Sequence, residues 1–251
     1  MIEKLSVQLY PFTNFSKNQR RELLHSIKNA GIENLETTSK IEKEWDLSGF
    51  NTIGVHLNDD TETLSNNVIP SLVHEGDFIF PISMLSMLIG RKNLINIGNL
   101  IFQNKYRRPF INSLSTKNYL KKGYWIELAC WLNSLNKKIT IHNHEYELSN
   151  FIDGESPWEI LHRYTTPNIR FQLDPQNLKN STNLEEVLIR FHQRIDSIHI
   201  DLDDPILNET DRNNIIEFSK IISRPINLII EQTKPDIEKL KNQIIKLKQL
   251  I

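Results

Sequence analysis

The chain has 251 residues, 39% of them hydrophobic, with 30 basic side chains against 31 acidic ones. That near-neutral balance, at a pI of about 6.7, leaves no basic footprint for nucleic acid, and a single cysteine excludes an internal disulfide framework and fits a reducing cytosol. The most apolar stretch, Phe78 to Ile89, contains Pro81 and is shorter than the ~20 residues a bilayer span needs; with no signal-peptide core behind Met1, a cytoplasmic protein without a membrane partner is expected.

Strand-like and helix-like segments alternate along the chain. The first strand is expected at Leu5–Tyr10, and Ser16 caps a following helix that carries Leu23, Leu24 and Ile27. Strands at Asn34–Glu36 and Thr52–Leu57 come next. From Asp59 to Gly123 the pattern is weakest, and a fourth strand is placed at Asn93–Ile97. An apolar helical stretch then holds Cys130, read as a small buried hydrophobe rather than a nucleophile. A fifth strand, Lys138–Asn143, precedes a helix opened by Ser156 with Pro157 at its first position. Strand six is Ile169–Asp174. Thr182-Asn-Leu-Glu185 reads as a capping box before Val187, Leu188 and Phe191. Strands at Ser197–Ile200 and Asn227–Glu231 follow, and Asp236 opens a last helix with Ile237, Leu240, Ile244, Leu247 and Ile251 on one stripe. Several of the strands are unbroken Val/Ile/Leu runs, as parallel strands buried on both faces require. Eight strands alternating with helices over about 250 residues point to the α/β class and a (β/α)8 TIM barrel, a single domain over residues 1–251.

The ends of the later strands carry the chemistry. Ile139-Thr-Ile runs into His142, Asn143 and His144, with Glu147 close behind. The sixth strand ends in Asp174, the seventh carries His199, and the eighth ends in Glu231. A metal-competent residue at the tip of each of four consecutive apolar strands is the pattern of a site on the C-terminal rim of a parallel barrel. Burying a carboxylate such as Glu231 at the end of an apolar run is costly without a cationic partner. Glu36 and His56, at the ends of the second and third strands, are further candidates for substrate contact. Carboxylates with imidazole, and no cysteine cluster, suit a borderline-to-hard cation with open positions for substrate oxygens and speak against structural zinc.

Taken in order, these segments resemble the xylose-isomerase-like family of sugar phosphate isomerases and epimerases. The resemblance rests on Gln8-Leu9-Tyr10 at the first strand, Leu128-Ala-Cys-Trp-Leu-Asn133 before the fifth, and Ile141-His142-Asn143-His144-Glu145-Tyr146-Glu147-Leu148 at its end. Ser156-Pro-Trp-Glu-Ile-Leu, Leu173-Asp174, His199 and Glu231-Gln232 complete it. It implies a divalent metal (manganese, magnesium, cobalt or zinc) held by one residue from each of strands five to eight: Glu147, with His142 as the alternative, then Asp174, His199 and Glu231. It implies Glu147 and Glu231 as proton-transfer groups, and Gln8, Glu36, His56 and His144 toward the substrate. The substrate class is a small sugar or keto-sugar; a homo-oligomer is allowed for.

Two segments depart from the relatives. His199-Ile200-Asp201-Leu202 stands where they commonly have His-Leu-Lys-Asp, so a cation gives way to an acid. Pro175-Gln-Asn stands where Thr-Gly-Trp is frequent. The leading expectation is a metal-dependent isomerase or epimerase. A dehydratase or lyase shares its first step, and the two departures motivate a non-catalytic ligand-binding barrel as the other class. An apurinic-site endonuclease on the same barrel would want a basic face and a fuller ligand set than this chain offers.

Overall fold

The structure is a computed structural model, and it describes residues 2–56, 78–81, 121–134, 138–143, 145–178, 182–202, 209–222 and 224–250. Its fold class is α/β, a (β/α)8 barrel with the strands in chain order and the last strand beside the first. The chain divides into two compact units: residues 1–56, 172–176 and 183–251, and residues 57–171 and 177–182.

The first unit contains a continuous parallel ladder. It is built from β1 (Ile2–Gln8), β2 (Asn34–Thr38), β3 (Asn51–His56), β7 (Ile195–Ile200) and β8 (Ile226–Ile230). β7 pairs with β8, β8 with β1, β1 with β2 and β2 with β3, all parallel. Pairing of the N-terminal with the C-terminal strand is what closes a barrel. The register sets Gln8 against Glu36, and His199 and Ile200 against Ile229 and Ile230. The strand interiors, Val7, Leu35, Ile198, Leu228 and Ile229 among them, are fully buried.

Helices of this unit start where local chemistry satisfies their free N–H groups. Ser16 and Gln19 form a reciprocal capping box on α1 (Lys17–Asn29), and Gly31, at φ +70°, turns the chain out of it toward β2. Thr38 caps α2 (Ser39–Glu44). On the later helix that spans Leu184–Phe191 the cap is Asn183, whose side chain accepts from Glu185 and Glu186 N–H. The expected Thr182–Glu185 box is therefore displaced by one residue, because the Asn183 amide oxygen takes the free N–H groups of the first turn. Asp236 caps the last helix (Ile237–Leu250) through Lys239 N–H at 3.0 Å, and Leu240, Ile244 and Leu247 form its buried stripe.

The second unit holds β4 (Phe78–Pro81) paired in parallel with β5 (Ile139–His142), Pro81 opposite His142. The strand beside β5 is thus Phe78–Pro81, and the strand expected at Asn93–Ile97 lies outside the described residues. β4 is Phe-Ile-Phe, aromatic and β-branched, stopped by a proline that cannot continue a ladder. Between them in sequence lies α3 (Lys122–Ser134), followed by α4 (Glu145–Ser149) and α5 (Pro157–Tyr164). Cys130 is exposed, against expectation. The buried stripe of α3 is Trp125, Leu128, Ala129 and Leu132, and residue 130 falls off that face. Asn133 ties α3 to the end of α5 by donating to Tyr164 O and accepting from Thr166 N–H. Trp158 stacks on Phe171 with centroids 4.4 Å apart. Glu155 takes Lys122 and Arg163 together, and the lysine hydrogen bond holds its carboxyl below the usual range. β6 (Ile169–Leu173) gives Ile169 to Phe171 to this unit and Gln172 and Leu173 to the other. Numbering the remaining helices in chain order, Leu184–Phe191 is α6, Glu209–Ile221 is α7 and Ile237–Leu250 is α8. Among the described residues no helix is long and apolar enough to cross a membrane.

Candidate metal and active site

In a parallel barrel every strand delivers its last residues to the same rim. In the first unit those ends bring an acid–imidazole–acid chain together. His199, fully buried on β7, lies between two carboxylates. Its Nε2 is 2.9 Å from Glu36 Oε1, and its Nδ1 is 2.5 Å from Glu231 Oε2. Glu36 is itself fully buried at the middle of β2. Its Oε1 also accepts from Gln8 Nε2 at 2.9 Å, and its Oε2 accepts from Gln172 Nε2 at 2.7 Å. Glu231, just past β8, differs in being 21% exposed at its side chain. One carboxylate of the chain is therefore sealed and the other reaches solvent.

Asp174 follows β6 directly, is 5% exposed, and accepts from Gln176 N–H at 3.0 Å. A carboxylate oxygen of Asp174 and a ring nitrogen of His199 lie within 4.8 Å of each other. Ligands of one ion with bonds of about 2.0–2.2 Å stand no farther apart than roughly 4.4 Å, so a small side-chain rotation brings both to one cation. The donor set of imidazole and carboxylates, desolvated and next to a part-exposed acid, fits a divalent ion.

The electrostatics follow from the same contacts. Burial alone disfavours a charged ring and pushes the His199 pKa down. The charges of Glu36 and then Glu231 outweigh it, and the pKa stands well above the ordinary imidazole value.

The second unit carries the strand-five candidates. His142 is the last residue of β5 and is 6% exposed; Glu147 is fully buried on α4, five residues further on. Both are residue types a divalent ion takes, and Asn143 between them accepts from Asn177 Nδ2 at 3.2 Å through its carbonyl. His144 lies outside the described residues. His56 ends β3, opposite Thr38 in the ladder, and its side chain is not described.

The contacts of two residues were not foreseen from the sequence. Gln172 sits one residue before the end of β6 and looks like any polar residue in a strand, yet it binds Glu36 across 136 positions. The signal was its place in Ile-Arg-Phe-Gln-Leu, where a fully buried amide needs a polar partner. Asp201 is the other. Its Oδ1 accepts from Gln243 Nε2 at 2.6 Å and its Oδ2 from Thr233 N–H at 3.2 Å. Asp201 thus ties the β7 end to the β8–α8 connection and to α8.

No sequence-family model matches the chain, and no curated protein does. Solved structures do. One is a sugar phosphate isomerase/epimerase from Parabacteroides distasonis, 13% identical, with a TM-score of 0.58 over 98% of this chain and 93% of that one. A second is an IolI protein with a bound zinc atom, 14% identical, TM-score 0.54, over 98% and 96%. A third is D-psicose 3-epimerase from Clostridium cellulolyticum with D-tagatose, 10% identical, TM-score 0.54, over 98% of both chains. The chain has the fold of the xylose-isomerase-like TIM barrels.

Proposed function

We propose that the chain, as one domain over residues 1–251, is a divalent-metal-dependent isomerase or epimerase of a small sugar or keto-sugar. The observation that carries this reading is the Glu36–His199–Glu231 chain at the strand ends, buried at one end and open at the other. Likeness to a sugar phosphate isomerase/epimerase and a D-psicose 3-epimerase, and to an IolI protein with a bound zinc atom, supports it. In this reading Asp174, His199 and Glu231 hold the ion, manganese, magnesium, cobalt or zinc, and strand five adds Glu147 or His142. Bound there, the metal supplies a positive charge that acidifies the proton on a carbon between a carbonyl and a neighbouring hydroxyl.

The protein residues do the rest. Glu231, part-exposed, takes the proton as general base, and Glu147 is the second carboxylate able to return it. His142 and His144 assist, with His56 and His144 toward the substrate. Gln8 and Glu36, buried and bound to each other, serve the site indirectly. A dehydratase or lyase outcome begins with the same proton abstraction.

Glu231→Gln is isosteric and should leave the fold intact. It should lower turnover by about 100-fold to 10,000-fold, the range general-base removal gives. The assay is exchange of solvent deuterium into a keto-sugar beside its carbonyl, run with each candidate metal. A broad sugar panel giving neither exchange nor product, with no metal retained after purification, would move the chain to the non-catalytic barrel class.

A further inference from the structure

Glu36 offers a carboxylate at the heart of the site, yet its surroundings leave it little to offer a substrate. It is fully buried, and both of its oxygens are engaged by donors from three other strands: Gln8 on β1, Gln172 on β6 and His199 on β7. A substrate oxygen reaching Glu36 would have to displace them. A carboxylate only accepts hydrogen bonds, so the imidazole nitrogen facing it, Nε2, must carry a hydrogen. The other nitrogen, Nδ1, faces Glu231, the part-exposed end of the chain, so the metal-free ring carries a hydrogen there too, and that is the hydrogen an ion held by Glu231 would displace, while the sealed Nε2–H to Glu36 stays.

We infer that Glu36 is a positioning residue that fixes His199 to ligate the metal through Nδ1. The inference rests on the metal-dependent reading above and goes beyond it, since it assigns the ligating atom and the residue that sets it. Gln8 and Gln172 then act one step further out: each donates to one oxygen of Glu36 and fixes the plane in which it meets the ring. A hydrogen-bonded carboxylate behind a ligating imidazole holds both the tautomer and the ring orientation, and raises its basicity.

The test compares the whole protein with Glu36→Gln and Glu36→Asp. Gln keeps the shape and can still accept from Nε2, while the Gln172 amide is free to turn over and meet the new NH2 group. Cobalt and zinc dissociation constants are measured by competition with a chromophoric chelator, beside the melting temperature without metal. Glu36→Gln should weaken metal binding by about 10-fold to 100-fold, and Glu36→Asp should recover part of the loss. A purely structural Glu36 would lower the melting temperature and leave metal affinity within about threefold of the parent, which would overturn the inference.

A second measurement needs no variant. In the cobalt-loaded parent, the retained Nε2–H should give a hyperfine-shifted proton resonance that vanishes slowly in D2O. Cobalt bound with no such exchangeable signal would overturn the inference even if the Glu36 variants do not fold. A parent that binds none of the metals contradicts the functional reading itself, a different outcome from parent and Glu36→Gln binding alike.

Discussion

His199 is a buried ring between two acids, and its titration shows how the site is held together without a ligand. Its folded-state pKa is raised, because the charges of Glu36 and Glu231 more than offset burial. The folded protein therefore keeps a proton that the unfolded chain gives up near the ordinary value of about 6.5. The stabilisation is fully present below about pH 6.5 and is lost as pH rises through the higher folded-state pKa. Urea midpoints of the metal-free protein, followed upward from pH 6, should fall, and should fall less steeply in Glu231→Gln, which removes one of the two charges. Equal slopes would show that Glu231 does not hold the proton. The ends of this chain of residues were legible in the sequence, since a polar residue closing an apolar strand stands out. Gln172 was not, because its role depends on β6 and β2 facing each other inside a fold, and linear patterning carries no such information.

Element boundaries followed local chemistry closely where a cap was strong. Ser156 with Pro157 and Glu159 states a helix start in four residues, and the structure keeps it: Ser156 Oγ accepts from Glu159 N–H while Glu159 accepts from Ser156 N–H. Ser156→Ala should cost about 1 kcal/mol, the usual value for a lost cap, measured as a shift in the urea midpoint with unchanged slope. A change much below half of that would mean that packing of Trp158 and Leu161 fixes α5 by itself. Where the start signal was diffuse, as at Thr182 and Asn183, expectation slipped by one residue. Strand four was missed for another reason. Four residues inside a longer apolar run have no period to read, and only the register against β5 distinguishes them.

At the scale of the molecule, the pairing of β1 with β8 joins residues near opposite ends of the chain, Ile2 with Ile226 and Val7 with Ile230. Such long-range pairing makes folding slow and leaves β1 exposed until the last strand is available. Removal of residues 226–251 should therefore give a product that is aggregated or rapidly proteolysed, not a smaller folded protein. Limited proteolysis and size-exclusion chromatography would decide, and a soluble, protease-resistant fragment would show that the ladder is stable without its seam. The eight-strand count was readable from sequence because helix and strand periods alternate; the closing contact was inferred from that count alone. One surface feature has a practical use. Because the only sulfhydryl of the chain, Cys130, lies on the outer side of α3, maleimide chemistry can attach a nitroxide at one position without mutagenesis. With manganese added to the protein, that label would let pulsed electron-spin spectroscopy report whether an ion binds and whether it occupies one place or several.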